Sequence, residues 1–400
     1  MTSPSQAAAT PAFQQAAGRV LILASEFPPG PGGIGTHAHQ VALGLHQVGW
    51  EVLVLASQDY VTEREVAEFN GAQPFDVVRF RSVPGPALEA LYRGAVLARR
   101  IRSFSPDVIV ASGSRPVLLA GARLSGRHVP LVAMGHGTEF GVRGGWQARA
   151  LRIAFGRASA VVCVSEFTRE QMHLAGIRLR QEHVIPNGAD PGRFRLLPDA
   201  DPRTIRSELG LPGGPLIVTV GNVTERKGQD IVVRALPSIR ESKPEVQYAI
   251  VGMPTRGEEI RDLAARLGVS GCVHLLGRLD EVRLVRLLNA ADLFVMTSRH
   301  TRDGDFEGYG IAVIEAALCG VPSVVAGGSG LAEAVDDGRT GLCVSPENPG
   351  ATAEAIRRLL DDDVLRAKMG EAARLRAERE QTWAGRIADY DRVLQELVRR

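Results

Sequence analysis

The sequence predicts an α/β protein of two domains, each a parallel β-sheet with helices on both faces. Three observations lead there. Short β-branched runs alternate with amphipathic stretches along the chain. The series occurs twice, and Pro186, Pro191, Pro198 and Pro202 cluster between the two halves. A length of 400 residues, 44% of them apolar, suits two cores better than one.

Taken in order, residues 1–18 are rich in Ala, Gln, Ser and Pro, without a basic start or an apolar centre. They read as a disordered tail, not a signal peptide. Strand-like runs follow at Val20–Ala24, Glu51–Ala56, Asp76–Phe80, Asp107–Ala111, Leu131–Met134, Ala160–Val164 and His183–Ile185. Thr36–Val48 and Leu88–Phe104 are amphipathic stretches between them. The second series is Leu216–Val220, Gln247–Val251, Val273–Leu275, Asp292–Met296, Ser323–Ala326 and Gly341–Val344. The boundary is expected within 187–202. The last fifty residues read as charged helix with a break near Gln381–Gly385. Two such Rossmann-like domains would face each other across a cleft at the carboxyl ends of their strands.

Composition narrows the function. A net charge of +2 argues against bulk electrostatic binding of nucleic acid. Residues 1–200 hold 20 Arg/Lys against 15 Asp/Glu, and the remainder holds 27 against 30. Only three lysines occur, Lys227, Lys243 and Lys368, so each marks a place where arginine was not used. The four cysteines (Cys163, Cys272, Cys319, Cys343) form no metal-ligand pattern, and three of them fall in apolar strand-like runs. They read as buried thiols of a cytoplasmic protein. No apolar run approaches the length of a membrane span.

Five motifs carry chemistry. Gly30-Pro31-Gly32-Gly33-Ile34-Gly35 follows the first strand; glycines there let a ligand approach a helix N-terminus. Gly30, Gly32 and Gly35 have the letters of a G-x-G-x-x-G dinucleotide turn, but the run does not follow directly on the strand that ends at Ala24, which disfavours an NAD-dependent dehydrogenase. Gly135-His136-Gly137-Thr138-Glu139 ends another strand and places His136 and Glu139 toward the cleft. Ser165 reads as a helix N-cap, and Pro186-Asn187-Gly188 as a turn into the linker. Asn222 through Lys227-Gly228 follows the first strand of the second domain; Arg226 and Lys227 at a helix start suit a diphosphate. Last, Glu307 and Glu315 stand eight positions apart around Gly308 and Gly310, and Glu315 lies in an otherwise apolar helical run. That segment suits a ligand bearing both phosphates and hydroxyls. Asp303-Gly304-Asp305 has the letters of a metal motif, but no metal is expected there.

In order and spacing these motifs resemble the retaining nucleotide-sugar glycosyltransferases of family 4, with the GT-B fold, and most of all their phosphatidylinositol mannosyltransferase-like group. The resemblance runs from about residue 19 to 395. It implies a first domain over 19–195, a second over 196–383, and a final helix, about 384–400, returning to the first. It implies a nucleoside-diphosphate sugar as donor substrate and no cofactor. Glu315 would bind the donor ribose, Glu307 the sugar hydroxyls near the reacting carbon, Lys227 the diphosphate and His136 the sugar. Gly32 and Gly33 would admit the phosphate and acceptor. Tyr309, Gly310 and Ile311 would present backbone N–H groups or packing, and Arg278 and Leu279 would form the base-binding turn. The family usually has Arg where this chain has Asn222, leaving Arg226 or Arg299 as substitutes.

The expected activity is transfer of a hexose, with mannose favoured, to a hydroxyl of a lipid, glycan or small molecule. A nucleotide-sugar epimerase and a non-catalytic nucleotide-sugar sensor are the alternatives. Arg93–Arg102 and Trp146–Arg157 are amphipathic and suit peripheral contact with an anionic inner membrane face, or else ordinary solvated helix faces.

Overall fold

The computed structural model describes residues 17–30, 32–57, 61–122, 128–141 and 144–399. Residues 1–16 of the expected tail, and Pro31 of the first glycine loop, lie outside the described residues. The last tail residue, Gly18, instead opens a strand.

Strands β1 (Gly18–Ala24), β2 (Trp50–Ala56), β3 (Asp76–Arg79), β4 (Val108–Ser112), β5 (Leu131–Gly135), β6 (Ala160–Cys163) and β7 (Glu182–Val184) form one sheet. Strands β8 (Leu216–Val220), β9 (Gln247–Val251), β10 (Val273–Gly277), β11 (Leu293–Met296), β12 (Ser323–Ala326) and β13 (Gly341–Val344) form the other. Every run expected from the sequence is a strand. The orders are β3-β2-β1-β4-β5-β6-β7 and β10-β9-β8-β11-β12-β13, parallel throughout. Each is the doubly wound order, whose switch point falls between β1 and β4, and between β8 and β11.

Side-chain alternation explains why these strands are apolar on both faces. Val20, Ile22 and Ala24 pack with Val52 and Val54 on one face of the first sheet. Leu21 and Leu23 pack with Leu53 and Leu55 on the other. The second sheet separates two cores in the same way.

The final helix, Trp383–Val398, crosses back to the first domain. Ile387, Tyr390, Leu394 and Leu397 join the core of Val41 and Leu45, and Trp50 Nε1 donates to Asp391 Oδ1 at 2.7 Å. The two segments that pass between the domains lie side by side. Ala189 N–H donates to the Gln381 carbonyl (2.9 Å), and Trp383 N–H to the Ala189 carbonyl (3.3 Å). Two of the four free cysteines, Cys163 and Cys343, are in strands; Cys272 and Cys319 fall at a 3-10 turn and a helix end, so the strand reading of three was one too many.

Candidate active site

A cleft of about 510 Å³ lies between the carboxyl ends of the two sheets. The first domain lines it with the loop after β1, His136 after β5, and Asn187. The second contributes Asn222, Arg226 and Lys227 after β8, Met253 after β9, and Asp305 to Glu315 after β11.

The glycine loop is shaped by its backbone. Gly32 has φ 149°, and a Cβ there would collide with the Glu26 carboxylate. Helix Gly33–Gln47 starts with no side-chain cap, and Gly33, Ile34 and Thr36 of its first turn line the cleft. A Cβ on Gly33 would meet nothing within 4 Å, so protein packing does not dictate this glycine.

His136 is buried, with Nε2 2.8 Å from Ser112 Oγ. Burial pushes its pKa down to about 4, so the ring is neutral at pH 7. Glu139, expected beside it in the cleft, turns the other way. Its Oε2 accepts from the N–H groups of His136 (3.0 Å) and Gly137 (2.9 Å). Two orphan donors of a tight turn attract the carboxylate more than the cleft does. Burial, partly offset by those hydrogen bonds, pushes its pKa up to about 7.

Opposite lies a cluster of two cations and two carboxylates. Lys227 Nζ is 2.6 Å from Glu307 Oε2, which Arg226 Nη1 also contacts, and Arg226 Nε is 3.0 Å from Asp305 Oδ2. Burial works to raise the Glu307 pKa, but Arg226 and Lys227 outweigh it and hold it at about 2. Burial lowers the Lys227 pKa against the pull of Glu307. Asp305, the second letter of the Asp-Gly-Asp motif, thus faces a guanidinium, and Asp303 is exposed on a turn.

Asn222 does not replace the charge of an arginine. Its Oδ1 accepts from Met253 N–H at 3.0 Å, tying the loops after β8 and β9 together. Of the two proposed substitutes only Arg226 enters the cleft. Arg299 pairs with Asp230 and lies 3.6 Å from Glu347, drawn away by that acidic pair.

Glu315 projects from helix Ile311–Leu318 into the cleft, and its carboxylate makes no hydrogen bond or ion pair with a described residue. Burial raises its pKa to about 7, with Arg193 opposing. Gly310 starts this helix with φ 90° and no side-chain cap. Tyr309 is buried, its hydroxyl 3.5 Å from Gln381 Nε2, and Ile311 reaches the core of the first domain. Arg278 and Leu279 are not among the cleft-lining residues: Arg278 is exposed, and Leu279 packs against the core of the second domain.

Two features escaped the sequence reading. Asn187, taken there as part of a plain turn, is a buried cleft residue whose Oδ1 has no hydrogen-bond partner among the described residues. Glu333 reaches across from the second domain and accepts the N–H groups of Glu166 (3.0 Å) and Phe167 (2.8 Å), at the start of helix Glu166–Leu174. Its only sequence signal was an acid after a Gly-Ser-Gly turn.

Comparison with known proteins agrees with this geometry. Residues 31–193 match the profile described as Glycosyltransferase Family 4, and residues 201–376 that of Glycosyl transferases group 1. The chain is 32% identical over 376 residues to a GDP-mannose-dependent monoacylated alpha-(1-6)-phosphatidylinositol monomannoside mannosyltransferase of Corynebacterium glutamicum, covering 91% of this chain and 94% of the relative. It is 29% identical over 396 residues to a glycogen synthase of Mycobacterium tuberculosis, covering 91% of each. Among solved structures, Anabaena HepE in complex with UDP and glucose superposes with a TM-score of 0.80 at 22% identity, over 95% of this chain and 100% of that one. WaaG, a glycosyltransferase involved in lipopolysaccharide biosynthesis, gives 0.72 at 18% identity over 94% and 99%. These two show a shared fold.

Proposed function

This chain belongs to the family 4 glycosyltransferases, in the phosphatidylinositol mannosyltransferase-like group, and from that premise we propose that it transfers mannose from GDP-mannose, with retention, to an acceptor hydroxyl in the inter-domain cleft. The convergence of Lys227 and Arg226 on Glu307, facing His136 and the open Gly33 loop, carries this reading.

Breaking the anomeric bond puts negative charge on the leaving diphosphate. Fixed cations aimed there act on the transition state more than on the substrate. Lys227 and Arg226 supply that charge, and the uncapped helix starts at Gly33 and Ile311 add dipoles of the same sign. Glu307 holds both cations in place and has a carboxylate ionised at any working pH to accept sugar hydroxyls. Glu315 is a partnerless carboxylate suited to the ribose diol. His136, neutral, contacts the sugar without adding charge beside the reacting carbon. The acceptor attacks from the leaving-group face and its proton passes to the diphosphate oxygen. No metal or cofactor takes part in this scheme, and chelation with EDTA is expected to leave the rate unchanged.

Two relatives' printed names make GDP-mannose the donor to test first. Purified protein is incubated with GDP-mannose or UDP-glucose, and melting temperature and nucleotide release are followed. A shift with GDP-mannose and release of GDP on adding acceptor support the reading. Conversion of the sugar nucleotide without acceptor would support an epimerase instead. No helix among the described residues is long and apolar enough to cross a membrane. We place the enzyme in the cytoplasm, at the inner membrane face, because helices Pro86–Phe104 and Gly145–Gly156 expose Leu91 and Trp146.

A further inference from the structure

A second cavity, of about 350 Å³, lies in the second domain between helices Gln229–Ser242 and Gly257–Arg266. That volume falls within the roughly 300–1,000 Å³ of ligand pockets. The turn that carries Arg226 and Lys227 separates it from the cleft. Thr224 lines both spaces, whereas Arg226 and Lys227 line the cleft alone. Three buried polar atoms of its lining residues find no hydrogen-bond partner among the described residues: Thr224 Oγ1, Gln229 Oε1 and Arg299 Nε. Among the cleft-lining residues, Asn187, Asp305 and Thr224 carry such atoms, where a ligand is expected to meet them. Gln229 is only 1% exposed. Its Nε2 donates to the carbonyls of Gly221 (3.4 Å) and Asn222 (3.2 Å), which leaves Oε1 for the cavity. Arg299 commits its two Nη atoms to Asp230 and Glu347, which leaves Nε.

The chemistry of these groups selects a ligand. An unmet acceptor and an unmet donor in one cavity are both answered by a hydroxyl, which donates and accepts. A phosphate would answer Arg299 and not Gln229; an ammonium would do the reverse. The lining holds four arginines and four carboxylates, so no net charge draws an anion or a cation in. Carboxylates and guanidiniums side by side suit neighbouring hydroxyls, which donate to the first and accept from the second. Arg256 is held by Glu259 and lies 3.5 Å from Glu225, while the side chains of Asp262 and Arg266 are exposed and pair with no described residue. Ile260 and Leu263 add an apolar patch that the C–H face of a sugar ring covers.

We propose that this cavity is a second saccharide site, which takes a neutral sugar ring and acts as an effector site on the turn beside it. Arg299 N–H donates to the Arg226 carbonyl (2.8 Å), and Lys227 N–H to the Thr224 carbonyl (3.2 Å). With Gln229 bonded to Gly221 and Asn222, each of the three unmet residues is one hydrogen bond from the segment that positions Arg226 and Lys227. A sugar that fixes those three side chains holds the two cations toward the diphosphate. This coupling rests on the donor reading of the cleft; the binding of the sugar does not.

The test uses the full chain with methyl α-D-mannopyranoside as probe, followed by saturation-transfer NMR with and without GDP, and with inorganic phosphate and glycerol as controls. The glycoside should bind about tenfold or more tightly than either control. Gln229→Leu should erase its binding. Asp262→Ala and Arg266→Ala, on the exposed rim, should each weaken it about fivefold and leave the basal transfer rate unchanged. Glycoside and GDP should each tighten the other by the same factor, about threefold. An α-1,6-linked mannotriose that binds more tightly than the glycoside assigns the site to the end of a glycan, and equal affinities assign it to a free sugar; both sustain the proposal. Undiminished glycoside binding in all three variants overturns it, as does phosphate or glycerol binding equal to that of the glycoside. Glycoside binding that leaves GDP affinity unmoved overturns the effector role. Binding lost in the three variants of a protein that takes no GDP would sustain the saccharide site and sink the donor reading.

Discussion

Gly308 lies so close to the carbonyl oxygen of His136 that a Cβ at position 308 would overlap it. The two residues belong to different domains and follow β11 and β5, so this backbone contact sets how near Glu307 can come to His136. Gly308→Ala should hold the cleft open by about 1 Å and lower kcat/KM about 100-fold, as misplacement of that size does. The melting temperature should change little, because the main clash is with the His136 carbonyl, and of the packed cores only Val164 Cγ2 is approached, at 3.1 Å. Wild-type kcat/KM in the variant would show that the contact does not govern catalysis.

Lys227→Ala should lower kcat by about 10²–10³-fold, the usual cost of removing one donor aimed at developing negative charge. The fold should persist, since Arg226 still pairs with Glu307. Lys227→Arg should recover little, because a guanidinium does not fit the place of a compact ammonium. Single-turnover kinetics separate this from weaker binding: a rise in KM alone would make Lys227 a ground-state ligand.

The burial-raised pKa of Glu315, about 7, makes donor affinity depend on pH. Hydroxyls donate to the ionised carboxylate, so binding favours the deprotonated form. Below pH 7 a proton must leave first, and donor affinity should fall by up to about tenfold per pH unit. Above pH 8 it should level off. Glu315→Gln should bind weakly with a flat profile, measured by calorimetry with GDP-mannose from pH 5.5 to 8.5. A wild-type profile flat below pH 7 would remove Glu315 from the nucleotide site.

The fold could be read almost whole from the sequence, because strands buried on both faces are apolar along their length and cannot be mistaken for solvated loops. Lys227, Glu307 and Glu315 were legible for a related reason: each is a charge set where charge is costly. Glu139 misled because letter spacing says nothing of direction, and two nearby N–H donors decided it. Arg299 misled likewise, since Asp230, far off in sequence, claims it. Asn187 and Glu333 act only once two domains meet, and no local pattern marks such a contact.

Glu333 tests that last point. It accepts two of the first N–H groups of helix Glu166–Leu174, and Ser165 accepts that of Thr168 at 2.9 Å. Both act as caps, worth about 0.5–2 kcal/mol each. Only Glu333 comes from the opposite domain. Ser165→Ala should therefore lower stability without changing domain closure. Glu333→Ala should raise the radius of gyration in solution scattering and lower kcat/KM about tenfold. Identical scattering from the two variants would reduce Glu333 to a local cap.

His37 ties the final helix to His136. Its Nε2 is 2.9 Å from the Tyr390 hydroxyl, its ring stands edge-on to that of His136 with centroids 4.8 Å apart, and both rings are buried. Burial, with His136 adding to it, holds the His37 pKa well below its usual value, so both imidazoles are neutral at pH 7. His37 Nδ1 has no hydrogen-bond partner among the described residues, and Tyr390→Phe would leave Nε2 without one too. The cost should be about 1–3 kcal/mol of stability. If His37 also positions His136, kcat per folded molecule should drop several-fold while the dissociation constant of GDP stays put. A lower melting temperature with kcat unchanged would make the pair a packing contact, and would leave Ser112 as the residue that orients His136.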